Sequence, residues 1–347
     1  MYKAFATLVL LSILLLSSPV LATLNFQLDI IPNPYQAHKG TRAILVDADG
    51  SHLVLYGVNK DNKNNKIPMV FHWNERDGHS HLGLLNNRNT LLPMDISDDG
   101  KVIVGHNGGD SFIWTKQDKM RTVPKLKSHY LTTAISISAD GKTVVGYTGW
   151  QSDVSAFRWE IGAKPTEIGT GLNKVKWRNA THVSADASVI VGSAQKHVYR
   201  WNNNVISSIT SPSGCYFIPE DVSHDGKTIG GRCSVDTPII WHESNGFTTL
   251  PIPQGAASAI VKGMSGDGKK LFGTAKYKGE NYTYSYRPIL WYQEQIYFLD
   301  DIVKKHIPNQ AIKQIRVNNI SSNGKVLVGG YKDSIDHYYP FKLTLKE

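Results

Sequence analysis

The chain has 347 residues, of which 41% are apolar and 19% charged, and it carries a formal net charge of +9. These fractions are those of an ordinary soluble globular protein. No stretch after residue 22 is apolar enough to span a bilayer, and two cysteines are too few to form a zinc site on their own.

The N-terminus has the features of a secretory signal peptide. Lys3 provides a basic start, residues 8–16 are strongly apolar, and Ser17-Ser18-Pro19 interrupts that run before Val20-Leu21-Ala22. The pattern predicts export after removal of residues 1–22, with an uncleaved anchor as the alternative. We therefore expect a periplasmic or extracellular protein.

The remaining chain is built from one repeated unit, seen most clearly at residues 133–159. Apolar residues alternate with small or polar ones on both sides of Asp140-Gly141, a pattern typical of a β-hairpin with a tight turn. A third short strand follows and ends in Trp159. The seven predicted turns are Asp49-Gly50, Asp99-Gly100, Asp140-Gly141, Asp186-Ala187, Asp225-Gly226, Asp267-Gly268 and Asn323-Gly324. The predicted third strands end in Trp73, Trp114, Trp159, Trp201, Trp241, Trp291 and, in the seventh unit, Leu343.

The spacing of the units predicts an all-β protein, a seven-bladed β-propeller of four-stranded blades in a single domain, residues 23–347. Blades are expected to start near residues 41, 91, 131, 178, 215, 257 and 312. The seventh unit lacks a fourth strand, and residues 25–31 are predicted to supply it and close the ring. Eight blades, or six blades and a cap, are the alternatives.

The repeat resembles the bacterial extracellular repeat known as the HAF family, through the pattern A-x-x-IS-x-DGK-x-VVG followed by AF-x-W in residues 133–159. Ser155 departs from the family's first His. The strand plan is also similar to that of WD-repeat propellers. The resemblance implies a secreted or surface-exposed propeller of bacterial origin and no particular activity.

Both cysteines fall in the fifth unit, where Cys215 precedes the first predicted strand and Cys233 follows the second. The two ends of a hairpin lie at the same end of a blade, although the register from the turn leaves the residues about three positions out of line. In an oxidising compartment we expect a disulfide.

The long connections of a propeller share one face, here called the long-loop face: those between the second and third strands and those between blades. Basic residues outnumber acidic ones in these connections, and exposed aromatic residues lie among them. Such a surface suits an anionic, extended ligand, because cations pair with acid groups and aromatic rings stack on sugars. The predicted ligand-binding residues are Lys60, Lys63, Lys66, Trp150, Lys174, Lys176, Trp177, Arg178, Lys276, Tyr277, Lys278, Tyr282 and Tyr284.

The sequence contains no strong catalytic or metal-binding motif. The recurring turn aspartates are explained by turn structure, and His72, His79 and His81 are a weak metal signal, so neither metal nor cofactor is predicted. We expect a monomeric, exported, non-catalytic binding protein for an anionic glycan, an envelope component or a protein partner. The alternative is a polysaccharide hydrolase or lyase on the same face, which would require carboxylates from two blades to converge near the channel. No nucleic-acid-binding motif is present.

Overall fold

The computed structural model describes residues 24–34, 39–60, 64–86, 90–126, 131–150, 153–168, 179–194, 197–234 and 236–346. In this part of the chain, strands form seven four-stranded antiparallel sheets. In six of them the strands lie in sequence order, and in the seventh the outermost strand comes from the N-terminal end of the described chain. The predicted seven-bladed propeller is confirmed. Each sheet is one blade. The first strand of each blade lines the central channel, and the fourth lies at the rim.

The closing strand and the first four blades have the following strands. The closing strand is β1 (Asn25–Ile30). Blade 1 contains β2 (Thr41–Val46), β3 (His52–Lys60), β4 (Lys66–Asn74) and β5 (Gly78–His81). Blade 2 contains β6 (Leu92–Ile96), β7 (Val102–His106), β8 (Ser111–Thr115) and β9 (Lys119–Thr122). Blade 3 contains β10 (Thr132–Ile137), β11 (Thr143–Trp150), β12 (Asp153–Glu160) and β13 (Thr166–Glu167). Blade 4 contains β14 (Asn179–Val183), β15 (Val189–Ala194), β16 (His197–Asn202) and β17 (Val205–Ile209).

The last three blades follow the same plan. Blade 5 contains β18 (Phe217–Val222), β19 (Thr228–Cys233), β20 (Pro238–His242) and β21 (Gly246–Thr249). Blade 6 contains β22 (Ser258–Met264), β23 (Leu271–Lys278), β24 (Tyr284–Tyr292) and β25 (Gln295–Phe298), and a helix, α1 (Leu299–His306), follows it. Blade 7 contains β26 (Ile312–Ile320), β27 (Val326–Asp333) and β28 (Tyr338–Lys346), and β1 is its fourth strand.

Ring closure joins the two ends of the described chain. Strand β1 pairs antiparallel with β28, from Asn25 opposite Lys346 to Ile30 opposite Phe341. This pairing confirms the predicted closing strand. It leaves blade 7 with the same four-stranded sheet as the other blades, so its outer edge is not an unpaired β28.

The predicted turns also serve as contacts between blades. In blade 2, Asp99 Oδ1 accepts hydrogen bonds from Ser97 Oγ and from the Lys101 N–H, which fixes the turn, and Gly100 takes a φ of +69°. One residue before each turn aspartate, a backbone N–H donates to the next blade. Seven such bonds, 2.7–3.1 Å long, run around the ring; their donors are Ala48, Asp98, Ala139, Ala185, His224, Gly266 and, one residue further along, Asn323. They narrow this end of the channel and tie every blade to its neighbour.

Each inner strand contains a β-bulge at the same repeat position. The register between first and second strands skips one residue in every blade, and the skipped residues are Ile44, Met94, Ile135, Thr181, Glu220, Lys262 and Asn318. A bulge bends the strand and redirects its side chains. It therefore gives the channel wall a residue that a regular strand would not place there.

The tryptophans that end the predicted third strands pack between blades. Trp73, Trp114, Trp159 and Trp291 are buried, and Trp201 and Trp241 are half-buried against neighbouring clusters. The cysteines form the expected disulfide, with 5.1 Å between the Cα atoms of Cys215 and Cys233.

The repeat pattern also predicts a fourth strand of blade 1 at residues 81–85 and a connection between blades that contains residues 304–306, and both of these local predictions were wrong. The fourth strand of blade 1 is Gly78–His81 rather than residues 81–85, because the tight turn at residues 75–77 starts it earlier. Lys304, Lys305 and His306 lie in α1 rather than in an open loop. The helix forms because Leu299 and Val303 are buried and acidic residues occupy its first turn, where the helix dipole favours them.

None of the helices in the described segments has the length and hydropathy needed to cross a membrane. The predicted signal peptide, residues 1–22, lies outside the described residues.

Candidate functional site

The structure describes only part of the predicted ligand-binding set. Five of the predicted residues lie outside the described part of the chain: Lys63, Lys174, Lys176, Trp177 and Arg178. Trp150 is the last residue of β11, where its backbone pairs with Asp153. The other seven predicted residues fall on two hairpins, one in blade 1 and one in blade 6.

The blade 6 hairpin carries a ladder of lysines and tyrosines. Lys276 is the cross-strand partner of Tyr286, and Lys278 that of Tyr284, so these four side chains share one side of the sheet. The Lys276 ammonium lies 4.2 Å from the ring centroid of Tyr284, and that of Lys278 lies 5.5 Å from Tyr282. These are cation–π distances, and they hold the exposed tyrosines in place.

Tyr277 does not belong to this ladder. It lies between Lys276 and Lys278 in the strand, so its side chain is on the other side of the sheet, where it packs against the core of blade 6. Burial raises the pKa of its hydroxyl.

The blade 1 hairpin opens into a cavity between blade 7 and blade 1, here called the 7/1 cavity. Lys60 and Lys66 are cross-strand partners at the open end of β3 and β4. The cavity has a volume of about 340 Å³. The described residues lining it are Lys39, Gly40, Arg42, Tyr56, Gly57, Val58, Lys60, Lys66 and Tyr338.

Arg42 is held between two aromatic rings in the 7/1 cavity. Its guanidinium carbon lies 5.7 Å from the ring centroid of Tyr56 and 5.9 Å from that of Tyr338. Gly330 permits this arrangement, because a Cβ at that position would lie 2.7 Å from Cβ of Arg42. Stacking orients the guanidinium plane and leaves its N–H groups for a ligand.

The cavity sits where the chain closes the ring. Asn33, just after β1, donates from Nδ2 to the Tyr338 carbonyl at 2.8 Å and accepts from the Thr41 N–H at 2.7 Å. The Tyr338 N–H donates to the Lys39 carbonyl at 2.9 Å. The contacts that close the propeller therefore also fix the walls of the cavity.

The charge of the 7/1 cavity is positive. Lys39, Arg42, Lys60 and Lys66 converge there, no acidic residue is present among the described lining residues, and none of the four forms an ion pair with a described carboxylate. Flexible lysines around one fixed arginine can pair with a carboxylate, sulfate or phosphate.

Two other basic residues of the long-loop face form ion pairs with carboxylates. Arg287 binds Asp300 through two bonds of 2.9 Å, from Nε to Oδ2 and from Nη2 to Oδ1. Lys125 pairs with Asp110 at 2.6 Å. Unlike the four cations of the 7/1 cavity, Arg287 and Lys125 are therefore already paired with described carboxylates.

The central channel is a second candidate site, with a volume of about 250 Å³ and walls from all seven inner strands. At its narrow end Asp98, His224 and Ser322 meet from three blades. Ser322 Oγ donates to Asp98 Oδ1 at 2.8 Å, and His224 Nε2 lies 3.7 Å from Asp98 Oδ2. These contacts stabilise the closed end of the channel.

Two carboxylates from different blades lie in the channel wall. Burial raises the pKa of Asp95 to about 6 and that of Asp221 to about 7, and the two charges repel each other. Both side chains also join blades, because Asp95 Oδ2 accepts from the Ile137 N–H and Asp221 Oδ2 from the Met264 N–H. They combine a structural role with a pKa suited to proton transfer near neutral pH.

Sequence reasoning missed Arg42, Tyr56 and Tyr338 of the 7/1 cavity and Asp95 and Asp221 of the channel. Arg42 and Tyr56 lie inside predicted strands, where nothing in the repeat pattern distinguishes them from neighbouring residues. The signal that could have found the carboxylates is their position: Asp95 and Asp221 directly follow the bulge residue of an inner strand.

Comparison with known proteins shows the fold. No protein-family model and no curated protein matches the sequence, so the resemblance to the HAF repeat has no support from these searches. The chain is similar in structure to oligogalacturonate lyase from Vibrio parahaemolyticus, with a TM-score of 0.61 and 11% sequence identity over 94% of this chain and 98% of that one. At this identity the likeness shows a shared propeller architecture.

Proposed function

We propose that the protein is an exported binding protein for an acidic saccharide and that the 7/1 cavity is its binding site. The observation that carries the proposal is the convergence of Lys39, Arg42, Lys60 and Lys66, with no acidic residue among the described lining residues. In this cavity Arg42 binds a carboxylate or sulfate through its planar fork, and the lysines add charge at the rim.

The tyrosines favour a saccharide over a small free anion. Tyr56 and Tyr338 give the cavity two aromatic walls, and about 340 Å³ is within the range of small-ligand pockets. A sugar ring offers both an apolar face for stacking and an acid group for the cations. The other residues predicted for the same face remain predicted contributors: Lys63, Trp150, Lys174, Lys176, Trp177 and Arg178.

Two further observations support this ligand class and export. The structural neighbour is named as a lyase of oligogalacturonate, an oligomer of a carboxylated sugar. The disulfide between Cys215 and Cys233 is typical of proteins that fold in an oxidising compartment outside the cytoplasm.

The test is titration calorimetry of the protein without residues 1–22 against matched acidic and neutral saccharides at low and high salt. We expect binding of uronates or sulfated sugars and no binding of the neutral sugars, which have no acid group for the cations. Binding should be weaker at high salt, because salt screens the rim charges. Arg42→Gln should weaken binding about tenfold or more, the usual cost of losing a charge-assisted contact. Lys60→Gln combined with Lys66→Gln should add to that loss.

Matched controls lie elsewhere on the propeller. Arg121 is on the outer strand of blade 2 and pairs with Asp118, and Lys101 is on the face opposite the long-loop face. Arg121→Gln and Lys101→Gln should leave affinity unchanged. Binding that is equal for acidic and neutral sugars, or equal losses in control and cavity variants, would refute the proposal.

A second candidate function is cleavage of the acidic saccharide in the channel. The observation that favours it is the pair Asp95 and Asp221, two carboxylates from different blades with pKa values raised to about 6 and about 7. A carboxyl group half protonated near pH 7 can act as general acid or base. Both groups already hold neighbouring blades together, so the geometry supports binding more strongly than catalysis.

Cleavage is tested by incubating the protein with the acidic saccharides that bind. A lyase produces an unsaturated product that absorbs in the ultraviolet, and a hydrolase produces new reducing ends. Asp221→Asn should abolish either signal if Asp221 transfers a proton. Unchanged saccharide after prolonged incubation, or full activity in Asp221→Asn, would exclude the catalytic role of this residue.

A further inference from the structure

The inner strands depart from their repeat pattern in two neighbouring blades. The repeat position two residues before the bulge is occupied around the ring by Arg42, Leu92, Thr133, Asn179, Ile218, Ile260 and Arg316. Arginine occurs only in blades 1 and 7, which are adjacent. The position tolerates apolar and small polar residues in the other five blades, so propeller packing does not require an arginine there.

The surroundings of the two arginines are also repeated. Arg316 lines a second cavity, of about 280 Å³ between blades 6 and 7, here called the 6/7 cavity; Lys262, Tyr286, Gln314 and Asn318 line it as well. Tyr286 of blade 6 is equivalent to Tyr338 of blade 7. Each stands two residues before a proline of the third strand, and each has a lysine as cross-strand partner, Lys276 and Lys332 respectively.

The charges of the 6/7 cavity are not neutralised within the described residues. Neither Lys262 nor Arg316 forms an ion pair with a described carboxylate. Loss of solvation and, second, repulsion from Arg316 lower the pKa of Lys262. The negative charge of Glu220 acts in the opposite direction and raises this pKa. Two like charges that line one cavity from neighbouring blades are stabilised when an anion binds between them.

The two arginines lie close together across blade 7. Gly330 is the cross-strand partner of Arg316, and a Cβ at Gly330 would lie 3.2 Å from Cα of Arg42. Adding one spacing between antiparallel partners places the two arginine Cα atoms about 10 Å apart or less. Because Gly330 has no side chain, no group at that position stands between them.

We infer that one linear uronic-acid oligosaccharide lies across both cavities, with one acid group bound by Arg42 and another by Arg316 together with Lys262. This inference rests on the proposed function and narrows its ligand from an acidic saccharide to a polyanionic chain. Tyr338 and Tyr286, at equivalent places in the two seams, provide the stacking faces for two sugar units of the same chain.

Chain length is the variable that tests this arrangement. Galacturonic acid and its oligomers of two to six units are titrated against the protein by calorimetry. Affinity should rise at least about a hundredfold from monomer to the shortest oligomer that reaches both arginines, then level off, because joining two sites makes the second contact intramolecular. The stoichiometry should be one oligomer per protein.

Variants separate the inference from the function on which it rests. For the long oligomer, Arg42→Gln and Arg316→Gln should each reduce affinity about tenfold or more, and the Arg121→Gln control should not. Tyr286→Ala, at a side chain that is 61% exposed, should weaken the oligomer and leave the monomer unchanged. It serves in place of Arg316→Gln if that variant does not fold.

The outcomes are distinct. If Arg42→Gln weakens binding while Arg316→Gln and Tyr286→Ala do not, the binding function holds and the spanning ligand is wrong. Two oligomers per protein, or equal affinity for monomer and oligomer, would overturn the inference in the same way. If no uronate binds, or Arg42→Gln has no effect, the proposed function itself fails.

Discussion

Replacing Asp221 by asparagine should flatten the pH dependence of folding stability. Burial raises the pKa of this carboxyl from 3.8 to about 7. A raised pKa in the folded state means that the stabilising contribution is complete below the unfolded pKa and is lost as pH rises through about 7. Between pH 5 and pH 8, ionisation of Asp221 should lower the free energy of unfolding by about 2.5 kcal/mol.

Asparagine is a fair replacement because Asn319 of blade 7 occupies the same repeat position. The amide cannot ionise, so Asp221→Asn removes this contribution. It also weakens one of the two hydrogen bonds that Asp221 accepts, from Met264 and Val222, at a cost of about 1 kcal/mol that does not depend on pH.

The assay is urea denaturation of wild type and variant at pH 5 and pH 8. Subtracting the pH dependence of the variant from that of wild type isolates the contribution of Asp221. Other groups, such as His182, contribute equally to both proteins; burial lowers the pKa of His182 to about 4, so its own effect on stability has the opposite sign over this range. Asp225→Asn in the same blade is the control, because the pKa of Asp225 is lowered and it stays ionised throughout. Equal pH dependence in wild type and Asp221→Asn would refute a raised pKa for the Asp221 carboxyl.

Three further predictions concern the frame of the 7/1 cavity and the disulfide. Replacing Cys215 and Cys233 by serine should lower the free energy of unfolding by about 3 kcal/mol, since the bond closes a loop over a separation of 18 residues; wild type in reductant should match the variant in urea denaturation. Asn33→Ala removes the side chain that bridges the Tyr338 carbonyl and Thr41, and it should lower the free energy of unfolding by about 2 kcal/mol in the same assay. An unchanged free energy of unfolding would mean that water replaces these two hydrogen bonds. Gly330→Ala should displace Arg42, because the added Cβ would lie 2.7 Å from Cβ of Arg42, and should weaken saccharide binding about tenfold in calorimetry. Unchanged affinity would contradict the role of Gly330 in placing Arg42.

The repeat was predictable because its signals are local. An Asp-Gly turn, two alternating strands and a third strand ending in Trp fall within about thirty residues, and each has its own physical cause. The disulfide was predictable for the same reason, since Cys215 and Cys233 flank one hairpin. The blade 6 ladder was predictable in part. Lys276, Lys278 and Tyr284 belong to the predicted binding set and Tyr286 does not, and only the register shows that Tyr277 lies on the other side of the sheet.

The binding site was predictable only in its charge. Lys60 and Lys66 were recognised as basic loop residues, but Arg42 looked like an ordinary strand position. Its importance depends on Tyr338, which the ring brings beside it from the other end of the chain. No local pattern reports a contact of that kind, because it exists only after all seven blades have closed.

By itself the sequence determined the number of blades, the turn between the first and second strand of each blade, and the strand that closes the ring, because these follow from alternation, turn residues and spacing along the chain. The tertiary structure alone decided which cations form no ion pair with a described carboxylate, which carboxylates line the channel, and that Arg42 and Arg316 lie on neighbouring blades. The physical reason is that charge, burial and ligand geometry at a seam belong to two blades at once, and closure of the ring sets them.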